Sequence, residues 1–108
     1  VVSTPTEEYA VIDGGTKTFP MDIQLNVAPY YYQSYAIIEE NDDLQLKRMN
    51  EEHGIITSQS GKTGLKVGQK IKLTPVHVCT AVNMQNQVYI YDGNNVYEQK
   101  VDARGMLV

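Results

Sequence analysis

The sequence predicts a mainly β domain, a small β-barrel or sandwich-like fold, and three observations carry that expectation. Short runs rich in Val, Ile, Thr and Tyr recur along the chain, each closed by Gly, Pro, Asn or Asp. Few stretches sustain a 3.6-residue apolar period, so helix signals are poor. Between Leu65 and Leu73 apolar and basic residues alternate with period two, as they do on a half-buried strand.

Taken in order, Val1 to Thr4 reads as a strand stopped by Pro5, and Tyr9 to Asp13 as a second closed by Gly14 and Gly15. Thr16 to Asn26 reads as irregular, broken by Pro20. Tyr30, Tyr31 and Tyr32 are adjacent, so they cannot share one face, and at least one must meet solvent or a partner. Tyr35 to Glu39 and Leu44 to Asn50 read as strands separated by the polar turn Glu40 to Asp43. A further strand, Ile55 to Thr57, follows Gly54, and Ser58 to Gly64 is a Gly- and Ser-rich loop. In the alternating segment Leu65, Val67, Ile71 and Leu73 face one side and Lys66, Lys70 and Lys72 the other, with a turn or bulge at Gly68 and an end or sheet edge at Pro75. Val76 to Val82 reads as a strand. Val88 to Tyr91 and Asn95 to Gln99 flank Asp92, Gly93 and Asn94 and read as a hairpin.

The chain has 108 residues, enough for a single domain spanning 1–108 with one modest core. Its net charge is −4 and its basic residues are scattered, which argues against a nucleic-acid partner. The densest basic group, Lys66, Lys70 and Lys72, is read as the wet face of a strand. No run approaches the roughly 20 apolar residues of a membrane-spanning helix, so no membrane is expected. A single cysteine offers no internal disulfide and suits a reducing, cytoplasmic setting. No signal peptide is read at the start, and Val1 in place of Met fits either processing or a chain that begins inside a longer protein.

Chemistry, if any, centres on His77 and Cys79. On a strand two residues apart they project to the same side, about 6.6 Å apart along the chain, and both can lean toward one ion. Imidazole nitrogen and thiolate sulfur both suit a borderline-soft metal such as zinc. The spacing is permissive rather than specific, because a lone cysteine is commonly a small buried hydrophobe and a lone histidine is commonly just hydrogen-bonded. Two ligands fall short of the four that a structural zinc site needs. His53, beside Glu51 and Glu52, would supply a third ligand if it approached; otherwise this stretch is a polar strand end closed by Gly54. Positions left open on such a metal would go to water or substrate. Other motifs carry less. Gly61, Lys62 and Thr63 lack the upstream glycine and strand of a phosphate-binding loop. Gly14 and Gly15 read as a turn. Lys17 sits among polar neighbours, with no desolvation to turn it into a Schiff-base amine.

The segment Leu65 to Asn83, with its basic strand, Pro75 and the His77-Val78-Cys79-Thr80 run, resembles the C-terminal domain of the D-serine dehydratase and D-threonine aldolase family. Those pyridoxal-phosphate enzymes are distantly related to alanine racemase. Val1 to Ser3, Ala10 to Lys17, Glu51 to Gly54 and Ala103 to Gly105 agree in order, so the resemblance covers nearly the whole chain. It implies a two-domain enzyme in which an N-terminal α/β barrel binds pyridoxal phosphate through a lysine. The C-terminal β domain closes the active site, and the enzyme is a homodimer acting on a small hydroxy D-amino acid. It also implies that His77 and Cys79 hold a divalent metal, zinc by ligand type, which polarises the substrate β-hydroxyl. Cysteine at the second position leans toward dehydratases, where aldolases carry aspartate. The barrel and its cofactor lysine are missing from this sequence, so the chain by itself is expected to be catalytically inactive. Two other readings stand beside this one, a non-catalytic β-barrel binding module and a metal-free accessory domain of an amino-acid racemase.

Overall fold

Alternation along the early strands sets the architecture. The computed structural model describes residues 1–106; the last two residues of the predicted 1–108 domain lie outside the described residues. Strand β1 (Tyr9–Ile12) buries Ala10 and Ile12, and β4 (Gly54–Ser58) buries Gly54 and Ile56. Between them in sequence lie β2 (Ala36–Ile38), which buries Ala36 and Ile38 and leaves Ile37 exposed, and β3 (Leu44–Met49). β1, β4 and β3 form one antiparallel sheet in that order.

The β3–β4 register slips between Leu46 and Arg48, and this irregularity decides a side chain's face. Leu44 and Leu46 point inward by period two. The slip resets the count, so Lys47 and Arg48 are both exposed and Met49 returns to pack on the core. That core is Ile12, Phe19, Ala36, Ile38, Leu44, Leu46 and Ile56, with Val1, Leu65, Ile71 and Leu73 packed around it.

β5 (Leu73–Pro75) pairs antiparallel with β2, and Pro75 is its last residue. Hydrogen bonds then carry the sheets around the core as a partly irregular, barrel-like ring. The backbone N–H of Tyr35 donates to the Leu46 carbonyl at 2.9 Å, and Leu46 N–H donates to Ser34 Oγ at 2.8 Å, which ties β2 to the edge of β3. On the far side Gly68 N–H donates to the Val1 carbonyl at 2.9 Å, and the Val1 amine donates to the Gln69 carbonyl at 2.8 Å. Val11 N–H donates to the Ser3 carbonyl at 2.8 Å and returns the ring to β1. The predicted strand Val1 to Thr4 is thereby reduced to a single bridge, Ser3 to Val11.

Two predicted strands are corrected. From Leu65 to Lys72 the chain forms no strand, although Leu65 and Ile71 do face the core. Gly68, at φ 87°, closes a turn in which Gln69 N–H donates to the Lys66 carbonyl, and Val67 is left 63% exposed. The turn expected at Gly68 is present, and it interrupts the apolar period instead of leaving a bulge within one strand. From Val76 to Val82 the predicted strand is instead a bend followed by a short helix, α1 (Cys79–Met84). Its β-branched residues favour strands, but Ala81 is the one buried residue of α1, and Val82 N–H donates to the Val78 carbonyl at 2.9 Å.

The predicted hairpin forms from β6 (Gln87–Tyr91) and β7 (Val96–Lys100), which pair with each other in a two-stranded sheet of their own. The Asp92 side chain closes its turn by accepting from the N–H groups of Asn94 and Asn95 at 2.9 and 2.8 Å. Tyr30 and Tyr31 meet solvent, and Tyr30 stacks on Tyr32 with ring centroids 5.4 Å apart. No helix among the described residues is long and apolar enough to cross a membrane.

A carboxylate clamps the open end of the β3–β4 pair. Asp43 accepts from the hydroxyls of Ser58 and Ser60 and, at 2.9 Å, from Ser60 N–H. The Ser58 and Ser60 hydroxyls hold its carboxyl below the usual carboxylate range. A group depressed in this direction contributes stability that is complete above its unfolded pKa of about 3.9 and is lost as pH falls through the folded value. Asp43→Asn is therefore expected to lower the urea midpoint at neutral pH. Its midpoint converges with that of the wild type in strong acid, where both lack the charge. Parallel midpoint curves across that range would show that the clamp carries no such linkage.

Candidate functional site

Pro75 ends β5, and Val76 N–H still donates to the Tyr35 carbonyl at 3.1 Å, so His77 emerges directly from an anchored strand end. It does not lie on a strand. His77 occupies the coil before α1, Val78 is exposed, and Cys79 is the first residue of that helix. The shared strand face expected for the two side chains is therefore not the basis of their relation; a change of backbone conformation separates them.

The structure supplies His77 with a partner that the sequence did not reveal. Its Nδ1 lies 2.9 Å from Asp22 Oδ1 and 2.8 Å from Asp22 Oδ2. The His77 imidazole beside Asp22 holds that carboxyl below the usual range, chiefly through the hydrogen bond. The two side chains are 34% and 36% exposed, so the pair sits at the surface rather than in the core. Asp22 reaches it from the irregular segment Thr16 to Asn26, which is moored by buried Phe19 and Pro20. Engagement of Nδ1 leaves Nε2 as the ring nitrogen for a second ligand. Cys79 is a free, exposed cysteine two residues on.

The remaining candidates are placed elsewhere. His53 lies exposed in the β3–β4 turn, where its N–H donates to Asn50 Oδ1 at 2.7 Å and its carbonyl accepts from Asn50 N–H at 3.0 Å. Among the described residues no group of three or more His, Cys, Asp and Glu side chains is arranged to hold an ion, so His53 does not complete a set with His77 and Cys79. Lys17 pairs with Glu52, which holds its amine above the ordinary lysine value, the opposite of what a Schiff-base lysine requires.

The arrangement is a β domain that presents an imidazole and a thiol at the exit of a core strand, both accessible from outside. Its sequence matches the family model described as "Putative serine dehydratase domain" over residues 1–91, and the chain belongs to that family. The fold is that of part of D-threonine aldolase from Filomicrobium marinum, whose crystal structure matches with a TM-score of 0.75 at 24% identity. The match covers 100% of this chain and 27% of that one, so the chain spans about a quarter of the aldolase's length. No curated protein matches the chain.

Proposed function

We propose that this chain is the metal-bearing domain of a pyridoxal-phosphate-dependent lyase that acts on a small hydroxy D-amino acid, in the manner of a D-serine deaminase. The observation that carries the reading is that His77 and Cys79 are both accessible at one strand exit, inside the residues matched by the family model. One imidazole nitrogen and one thiolate suit zinc, and two side-chain ligands leave coordination positions for substrate. Pyridoxal phosphate, when bound by a partner barrel, supplies the electron sink for the substrate's Cα. A divalent metal, when bound, supplies a Lewis acid for the β-hydroxyl.

The residues of this chain have narrower tasks. His77 would offer Nε2 and Cys79 its sulfur as the two side-chain donors to the ion. The barrel-like ring holds the strand exit that carries both against the domain with which it shares the active site. By the family resemblance, cysteine rather than aspartate at the second ligand position leans toward loss of the β-hydroxyl as water, followed by deamination; D-threonine aldolase-type cleavage is the alternative. The expected setting is a cytoplasmic homodimer in which the β domain closes a barrel's active site.

The test is an assay of the enzyme that contains this chain with D-serine and D-threonine, before and after dialysis against chelator. D-serine turnover is expected to fall on dialysis and to return with zinc. Turnover that survives complete metal removal sinks the proposal.

A further inference from the structure

The reading above leaves Asp22 without a role, although the geometry gives it a specific one. Both of its carboxylate oxygens lie within 2.9 Å of His77 Nδ1, across 55 residues of sequence. A surface pair this exposed adds little to stability, so stability alone does not account for it. An imidazole that ligates through one nitrogen typically donates its other N–H to a carboxylate, which fixes the ring's orientation and tautomer and strengthens the donor.

Resting on the proposed metal reading, we infer that Asp22 is a positioning residue. It holds the Nδ1–H of His77, which commits the neutral ring to the tautomer with its lone pair on Nε2, the nitrogen that a metal held together with Cys79 would take. The opposite tautomer would place a hydrogen on Nε2 and offer that ion no donor. The carboxylate comes from a segment whose anchorage is independent of the His77 strand. Thr16 N–H donates to the Asn50 carbonyl at 2.8 Å, and Phe19 N–H donates to the Gly15 carbonyl at 2.8 Å. The ring is thereby held from two separate parts of the fold.

Two measurements test the inference. In the metal-free protein, long-range proton–nitrogen-15 spectra at a pH where the ring is neutral are expected to show His77 protonated at Nδ1. In Asp22→Asn the population shifts toward Nε2–H, while the solvent-exposed His53 is unchanged in both proteins. Cobalt(II) titration, read by thiolate charge-transfer absorbance, is expected to show binding weakened by about 10–100-fold in Asp22→Asn. Asp22→Glu, which keeps the acceptor oxygens, is expected to recover part of that loss. Cobalt bound equally well by wild type and Asp22→Asn, or a wild-type ring protonated at Nε2, overturns the positioning role and leaves the metal reading intact. A wild-type protein that shows no thiolate band with cobalt overturns the metal reading and the inference with it.

Discussion

Replacement of Cys79 by alanine is expected to cut metal-supported D-serine turnover by about a hundredfold or more and to abolish the thiolate–cobalt band. A Lewis acid contributes several kcal/mol of transition-state stabilisation, and each tenfold in rate corresponds to about 1.4 kcal/mol, so loss of the ion reaches that range. The proposed site would have two side-chain donors, and removal of one would leave His77 alone, too few to retain a divalent ion against chelator or solvent. The substitution is also clean. Cys79 is exposed at the start of α1, and the buried residue of that helix is Ala81, so the core is untouched. Melting behaviour should therefore match that of the wild type while turnover collapses. His77→Ala should do the same to turnover, but it also strips Asp22 of its partner, which makes Cys79→Ala the better probe of the metal alone. Full activity in Cys79→Ala, with zinc still bound, would refute the assigned ligand.

How far the fold was legible depends on whether local pattern and tertiary packing agree. β1, β2 and β4 were readable because inward and outward residues alternate, and β3 and the β6–β7 hairpin because clear turn residues bound β-rich runs; the structure preserves each within a residue or two. The Leu65 to Leu73 pattern was half right. Its apolar residues do line the core apart from Val67, yet the turn at Gly68 means that they reach it from an irregular strip. Val76 to Val82 misled because β propensity is a statement about packing on a pleated surface, and this segment pairs with no strand beyond Pro75. For the candidate site, residue type is what the sequence offers. His77 and Cys79 stand out as the chain's only cysteine and one of its two histidines, two positions apart after a proline. Their geometry was not legible, since the same-side argument needed a strand that does not form. Asp22 carried no signal at all: it lies in a segment without periodicity, and only the closed fold brings it to His77.

Gly15 connects that folding problem to the site, and Gly15→Ala is expected to destabilise the protein by about 3 kcal/mol or more, beyond the usual cost of an overpacked methyl. A Cβ at this position would lie 2.2 Å from the Asn50 carbonyl oxygen and 2.5 Å from both the carbonyl carbon and oxygen of Glu51. These are backbone atoms of the β3–β4 turn, and the Asn50–His53 hydrogen bonds brace them, so they cannot give way as a side chain would. Relief requires the exit of β1 to move off the turn. That breaks the Thr16–Asn50 hydrogen bond and disturbs the carbonyl that fixes Phe19 in the core. At about 4 °C or more per kcal/mol for a domain of this size, the melting temperature should fall by roughly 12 °C or more. Gly14→Ala is the matched control, because the atoms nearest its Cβ belong to the ring of Phe19, 2.7 Å away at the closest, and a ring can tilt. Gly14→Ala should lose less than Gly15→Ala. The displaced segment is the one that carries Asp22, so Gly15→Ala should also weaken cobalt binding at temperatures where the protein is still folded. A variant that melts within a degree or two of wild type would mean that the β1 exit does not rest on the turn, and the mooring of Asp22 would have to be sought elsewhere.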